Sequence, residues 1–344
     1  MHIPSSPTAN NRARRRTTLE DIARHAGVSA MTVSRALSNP DAVSEALRTK
    51  IEQSVRKLGY FPNRSARTLA SARSHVIAVL IPSLSNVVFT DVLAGIQDAL
   101  SGSGYQVLIG NTRYSDEEEE TLLNIYLQSN PDGLLLTGLK QSESVQNMLA
   151  TSGLPTVSMM DVSDDPARLS VGLSQYAGGY TMTRHLLDKG YRRIGFIAAQ
   201  LDERTYKRAD GYRQALHDAG LHYPHREVFV PEPSSIALGA ELVGRLLAVA
   251  PDCDAVFCCN DDLAYGVIFQ CQRRGIAIPG QLAVCGFNDL PASAWMNPSV
   301  TTIATPRYRI GYDAAMLLRR VIDGETPIPA GVDLGFTLMA REST

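Results

Sequence analysis

The chain has 344 residues, 44 % hydrophobic and 20 % charged, which excludes a single small domain and describes a soluble globular protein of two or three domains. No apolar run reaches the roughly 18 residues needed to cross a bilayer, and the opening MHIPSSPTANNRARRR lacks the apolar stretch of a secretory signal, so a cytoplasmic location is expected. The net charge of −2 hides an asymmetry: residues 1–74 carry 13 Lys and Arg against 5 Asp and Glu, a net +8, and the remainder carries 20 against 30, a net −10. A basic head on an acidic body is the electrostatic footprint of a nucleic-acid reader, because cations that neutralise phosphates release condensed counterions.

In chain order, residues 1–16 read as a flexible basic leader, whose Arg12, Arg14, Arg15 and Arg16 suit phosphate contacts and a solvated tail equally. Residues 17–62 predict three short helices. Thr18 caps the first, with Asp21 three residues on and Leu19, Ile22, Ala23 and Ala26 as its apolar stripe, and Gly27 ends it. The second turns Val33, Ala36 and Leu37 inward and Ala30, Met31 and Arg35 outward. After the break at Asn39-Pro40-Asp41, Ser44 caps a third helix that aligns Leu47, Ile51, Val55 and Leu58 before Gly59.

A helix-turn-helix needs a small residue at its turn and outward side chains at the start of its second helix, which lies in the major groove. TLEDIARHAGVSAMTVSRAL supplies Gly27 at the turn, Ser29 as cap and phosphate donor, and Ala30, Met31, Thr32 and Arg35 as outward groups. Arg35 is the candidate for bidentate contact with guanine, Ala30 and Met31 for thymine methyls, and Thr18 and Ser34 complete the set of candidate DNA contacts. Residues 63–74 follow as a hinge or polar linker.

Across residues 75–344 short apolar runs alternate with amphipathic helices. VIAVLI, QVLIG and GLLLT are interleaved with helices at 91–100, 117–127 and 144–149. RIGFIA, EVFV, AVFCC and AVCGF are interleaved with helices at 180–187, 208–219, 239–249 and 263–273. The alternation predicts parallel sheets covered on both faces, with the two series separated near PTVSMMD and residues 170–173. A last helix at 308–322 crosses back to the first series. The expected fold is an all-α helix-turn-helix headpiece plus an α/β core of two doubly wound parallel-sheet lobes, with ligand in the cleft beyond the carboxyl ends of the strands.

The five cysteines, Cys253, Cys258, Cys259, Cys271 and Cys285, are odd in number and show no C-x-x-C spacing, so neither disulfides nor zinc are expected, and Cys258 and Cys259 read as small packed residues of a strand. His222 and His225 flank Pro224 without a third ligand. The run Asp116 to Glu120 opens a helix, where the macrodipole favours negative charge. Ala177-Gly178-Gly179-Tyr180 lacks the full G-x-G-x-x-G pattern and no GKS/T loop exists, so neither a cofactor nor an enzyme is expected. Trp295, the one tryptophan, is expected in the core.

LEDIARHAGVSAMTVSRAL, Val43-Ser44 and LGYFPNRSARTLAS resemble the headpiece of the lactose-repressor (LacI/GalR) family of transcriptional regulators. GYRRIGFI at 190–197, NDDLAYG at 260–266 and VCGFND at 284–289 extend the resemblance through the body. It implies a headpiece, a hinge helix and a core like periplasmic sugar-binding proteins, acting as a homodimer on a pseudo-palindromic operator in double-stranded DNA. Residues 63–71, starting at Asn63, then resemble the hinge helix, with Leu69 as a wedge between base pairs in the minor groove and Ala66 beside it. The chain carries no leucine heptad tail, so a tail-zipper tetramer is not expected.

Sugar pockets need planar side chains for hydroxyls, an apolar face for the ring and a charge opposite to the ligand's. The strand-end loops supply Asp161, Arg204, Lys207, Arg208, Asn260 and Asn288, and the resemblance adds Asn86 and Phe89. The family commonly has Asp where this chain has Asn288, and often Arg where it has Val162. Loss of a pocket carboxylate beside three basic residues favours a ligand with a carboxylate. LDERT, NDDLA, FQCQRRG and DLGFTL are similar to the gluconate-operon repressor subgroup. The expected effector is a C6 aldonic acid that releases the repressor, gluconate first and 2-ketogluconate or a phosphorylated gluconate next. A neutral sugar, or a co-repressor in place of an inducer, is the alternative.

Overall fold

The computed structural model describes residues 17–60, 73–221, 224–326 and 329–344, in two units, Met1–Ser74 and His75–Thr344. The first is helical, with α1 Leu19–Ala26, α2 Ala30–Ser38 and α3 Glu45–Leu58. Thr18 and Asp21 form a reciprocal cap: the Thr18 hydroxyl accepts from the Asp21 N–H at 3.3 Å and the Asp21 carboxylate accepts from the Thr18 N–H at 3.0 Å, satisfying two otherwise orphaned donors. Gly27 closes α1 at φ +66°. Ser29 caps α2 by accepting from the Thr32 N–H at 3.1 Å. Ser44 precedes α3 as expected, but its hydroxyl makes no cap bond. Ile22, Ala23, Ala26, Val33, Ala36, Ile51 and Tyr60 form the core of this unit.

In the second unit, β1 Val76–Ile81, α4 Val87–Leu100, β2 Gln106–Asn111, α5 Asp116–Leu127, β3 Gly133–Thr137, α6 Glu143–Ser152, β4 Thr156–Met159 and β5 Ser170–Gly172 build the first lobe. The second lobe comprises α7 Gln175–Asp188, β6 Ile194–Ala199, α8 Glu203–Asp218, β7 Glu227–Val230, α9 Ile236–Val249, β8 Ala255–Cys258, α10 Asp261–Arg274 and β9 Ala283–Cys285. After β10 Thr302–Ala304 the chain returns through α11 Arg307–Ile322, which packs on α4, β3, β4 and β5, and through β11 Gly331–Asp333 at the sheet edge. The sheets run β11-β5-β4-β3-β1-β2 and β7-β6-β8-β9, parallel throughout. β12 Thr337–Met339 pairs antiparallel with β10.

Three readings of the sequence change. PTVSMMD and residues 170–173 do not separate the lobes: they are β4 and β5, inside the first sheet, with Val157, Met159 and Val171 fully buried. β10, β11 and β12 are three residues each, too short for alternation to reveal. Trp295 is 89 % exposed and not a core residue. Helices α4, α7 and α8 also start four to five residues earlier than periodicity predicts, because Asn86, Ser174 and Asp202 cap them.

Residues 341–344 return to the second lobe. Ser343 and Thr344 are buried; the Val284 N–H donates to the Ser343 carbonyl at 2.9 Å and the Ser343 hydroxyl donates to the Val284 carbonyl at 2.6 Å. Asp261, fully buried at the start of α10, accepts from the Thr302 hydroxyl at 2.6 Å, the Leu290 N–H at 2.7 Å and the Ser293 hydroxyl at 3.1 Å. Burial nevertheless pushes its carboxyl up to about 6. These bonds fix the segment that carries Asn288. No helix among the described residues is long and apolar enough to cross a membrane.

Helix pairs within the lobes cross unusually closely, and each crossing uses a reciprocal pair of glycines. A methyl on Gly95 would fall on the Tyr308 carbonyl and one on Gly311 on the Val92 carbonyl. Gly179 and Arg208, Gly211 and Tyr176, Gly239 and Leu263, and Gly266 and Ile236 repeat the arrangement. In each case the obstructing carbonyl lies three residues before the partner glycine, so α4–α11, α7–α8 and α9–α10 share one backbone-to-backbone packing. Gly266→Ala therefore has no side chain to displace and is expected to cost about 1–3 kcal/mol or more through overpacking, seen as a lower urea midpoint. Gly244→Ala, facing only the end of Arg274 at 3.1 Å, is expected to be neutral or to stabilise by up to about 1 kcal/mol from helix propensity.

Candidate DNA-reading and effector sites

In the helical unit α1 and α3 are tied by His25 Nδ1 and the Ser54 hydroxyl at 3.0 Å, and α2 packs on both through Val33 and Ala36. This leaves Met31, Ser34 and Arg35 exposed at the start and middle of α2, with Met31 at 72 %. A large apolar side chain so exposed on a nine-residue helix has no packing role in this unit. Ser29 is exposed, but its hydroxyl is engaged with the Thr32 N–H and, at 2.8 Å, the Thr32 hydroxyl. Thr18 is half-buried and committed to its capping box. Ala30, expected to face outward, is half-buried against the head core, where its small apolar side chain packs rather than faces solvent. Asn63, Ala66 and Leu69 lie outside the described residues.

In the body, the expected effector residues gather where the strands of both lobes end. Asn86 caps α4, its amide oxygen accepting from the Val88 N–H at 3.0 Å, and Phe89 is buried one turn on. From the second lobe the Arg204 guanidinium lies 5.4 Å from the Phe89 ring centroid, and Tyr114 meets the same ring edge-on at 6.5 Å. Asp161 is buried after β4 and receives the Lys207 ammonium at 2.5 Å and the Val162 N–H at 2.9 Å. Burial keeps its carboxyl above the usual carboxylate range despite Lys207. Asn260 caps α10, accepting from the Leu263 N–H at 3.1 Å and the Ser234 hydroxyl at 3.0 Å.

The three basic residues differ in their charge partners. Arg204 pairs with Asp202, the α8 cap; burial opposes the Asp202 charge, but Arg204 and the Thr205 N–H outweigh it and hold that carboxyl low. Lys207 pairs with Asp161 and with Glu203 at 3.3 Å. Arg208 is 6 % exposed, and among the described residues it faces no carboxylate within ion-pair distance. Its Nε donates to Gln175 at 2.8 Å, its Nη1 to the Cys259 carbonyl at 2.6 Å, and its guanidinium lies 3.9 Å from the Phe287 ring centroid. Burial pulls its pKa down to about 10, with Asp202 and Asp261 acting on it only at longer range, so the group stays charged at neutral pH while its direct partners are neutral. Asn288, 5 % exposed, follows Phe287, and its amide oxygen has no hydrogen-bond partner.

A cavity of about 870 Å³ opens on the β2 and β7 side of the cleft. Of the expected effector residues it touches Arg204, and five carboxylates line it: Asp116, Glu117, Glu119, Asp202 and Glu203. Glu119 is pushed up to about 7 by burial and by Asp116. Sequence reading missed Gln175, Phe287 and Tyr114, which contact Arg208 and Phe89. The position of Phe287 directly before Asn288 was a usable signal; Gln175 offered only its place at the start of a helix.

Residues 18–63 match the model of bacterial regulatory proteins of the lacI family, and residues 74–334 match that of periplasmic binding proteins and the sugar binding domain of the LacI family. The HTH-type transcriptional regulator GntR of Pseudomonas aeruginosa is 48 % identical over 97 % of this chain and 98 % of its own length. The crystal structure of the transcription regulator GntR from Chromobacterium violaceum is 52 % identical and covers 78 % of this chain and 98 % of its own, with a TM-score of 0.76. The lac repressor dimer, solved bound to operator and the anti-inducer ONPF, is 25 % identical over 96 % of this chain and 99 % of its own, with a TM-score of 0.85. The relatives are transcriptional regulators rather than enzymes, and the chain belongs to the LacI family of bacterial regulatory proteins.

Proposed function

We propose that this regulator represses genes for the use of a sugar acid of the gluconate class, binding operator DNA as a homodimer through residues 17–62 and a hinge at 63–74, and leaving it when the effector occupies the cleft of residues 75–344. The observation that carries the effector class is Arg208. Burying a guanidinium without a carboxylate costs several kcal/mol, and a ligand carboxylate on its uncommitted edge returns that cost as charge-assisted hydrogen bonds. The amide oxygen of Asn288 waits for a hydroxyl donor, and Phe89 and Phe287 offer apolar faces. Asp161 and Lys207 satisfy each other, so in this reading their pair bridges the lobes and exchanges partners when a polyol enters. The GntR names of relatives 40–48 % identical to this chain support gluconate.

On the DNA side Arg35 reads guanine and Met31 contacts thymine methyls, with Ser29, Thr32 and Ser34 toward phosphates. Asn63, Ala66 and Leu69 belong to the hinge. Residues 1–16 add charge.

Two outcomes test the reading. Calorimetry on the full chain is expected to register gluconate, and Arg208→Gln to weaken it by about 10- to 150-fold, the equivalent of about 1.5–3 kcal/mol for hydrogen bonds to a charged group. A response to a neutral sugar and none to gluconate, 2-ketogluconate or 6-phosphogluconate overturns it. Operator fragments chosen by selection are expected to bind with a log–log salt slope of about −0.9 per phosphate contact. Arg35→Ala should lose about 1–3 kcal/mol and relax the preference at one guanine in each half-site; an unchanged preference removes Arg35 from the contact set.

A further inference from the structure

Arg307 is the first residue of α11, where the chain re-enters the first lobe. Its side chain is 11 % exposed. The Nε donates to Asp91 at 2.8 Å, and Nη1 donates to the Asn288 backbone carbonyl. Asp91 lies on α4, two residues beyond Phe89, and Asn288 belongs to the second lobe. One side chain therefore joins a candidate effector residue of one lobe to the helix that presents two others.

The conformation at Asn288 gives this contact its weight. Asn288 and Asp289 have φ of +113° and +53°, two consecutive non-glycine residues in a region that L side chains avoid, at a cost of order 1–3 kcal/mol each. The backbone is held there from behind. The Asn288 N–H donates to the Ile303 carbonyl at 2.8 Å, Arg341 pairs with Asp289 at 2.8 Å, and Arg307 holds the Asn288 carbonyl. The buried side-chain oxygen of Asn288 has no hydrogen-bond partner, so the residue is fixed at its main chain and unsatisfied at its tip.

We propose that Arg307 is a positioning residue that couples effector occupancy at Asn288 to α4, the first helix of the body after the DNA-reading unit. Asp91 aims the guanidinium, whose rigid planar fork fixes one edge relative to the other. The Gly95–Gly311 crossing joins α4 and α11 backbone to backbone, so both move as one body. A shift of Asn288 on ligand binding either breaks the carbonyl bond or drags this pair, and a packed element of this kind responds in a discrete step. In sequence, α4 directly follows β1, which begins two residues after the boundary at Ser74. The proposal rests on the effector reading given above.

The test uses the full chain, gluconate and an operator fragment, and reads the factor by which saturating gluconate changes operator affinity. Coupling of this kind is commonly about 5- to 150-fold. Arg307→Lys keeps the charge but one ammonium cannot hold both partners in the same geometry, and Asp91→Asn removes the aiming carboxylate from a side chain that is 40 % exposed. Both are expected to bind gluconate within about threefold of the native chain while the factor falls by about tenfold or to unity. The double variant should lose little more than either single one, as for residues acting as a unit. A merely structural role alters both affinities and leaves their coupling intact, so a native factor in Asp91→Asn and Arg307→Lys overturns the proposal. Absence of gluconate binding by the native chain overturns the effector reading and this proposal with it, and calorimetry reveals that before any variant is made.

Discussion

A buried positive charge with only neutral partners organises the body of this protein. Arg208 can be there because Gln175 and the Cys259 carbonyl accept two of its edges and the Phe287 ring receives its face. Each of these comes from a different part of the second lobe: the start of α7, the end of β8 and the loop after β9. The side chain thus demands that three strand-to-helix junctions converge, and α8 must cross α7 closely enough for the Arg208 carbonyl to lie against Gly179. The caps at Ser174, Asp202 and Asn260, the Gly179–Gly211 crossing and the bonds from Asp261 to the β9–β10 segment all lie at these junctions.

The same region illustrates how charge number misleads when partners are ignored. Arg204, Lys207 and Arg208 are equivalent as letters, and only the fold separates them. Asp202 neutralises Arg204 from two residues away, while Asp161 reaches Lys207 from 46 residues away. Local reasoning could have recognised Asp202 as a helix cap; nothing local announces Asp161 as a partner for Lys207. The acidic cavity beside Arg204 likewise collects carboxylates from α5 and α8, elements of different lobes.

Much of the architecture was legible because it rests on local chemistry. The alternation of apolar strands and amphipathic helices, the capping box at Thr18 and the glycine stops at Gly27 and Gly59 are short-range signals. Helix starts at Asn86, Ser174 and Asp202 were displaced because the apolar period was followed instead of the cap residues. Three-residue strands carry no period, and β4 and β5, four and three residues long, resemble a boundary in sequence because no long amphipathic helix separates them. Trp295 failed for the opposite reason: hydrophobicity favours burial on average, but a single exposed residue is decided by the loop that carries it.

The return of residues 341–344 to the second lobe bears on the order in which the protein is made. Val284 is bonded to Ser343 across 59 residues, and His185 to Thr344 across 159 at 2.9 Å; the first sheet likewise needs β11 for its edge and α11 for one face. Neither lobe can close while its remaining pieces are unsynthesised, whereas among the described residues the core partners of α1, α2 and α3 lie within the first 60 residues. On a ribosome adding about 5–20 residues per second the headpiece can fold about 15–60 s ahead, and the body must wait as an incomplete pair of sheets, with parallel edges open, until residues 341–344 arrive.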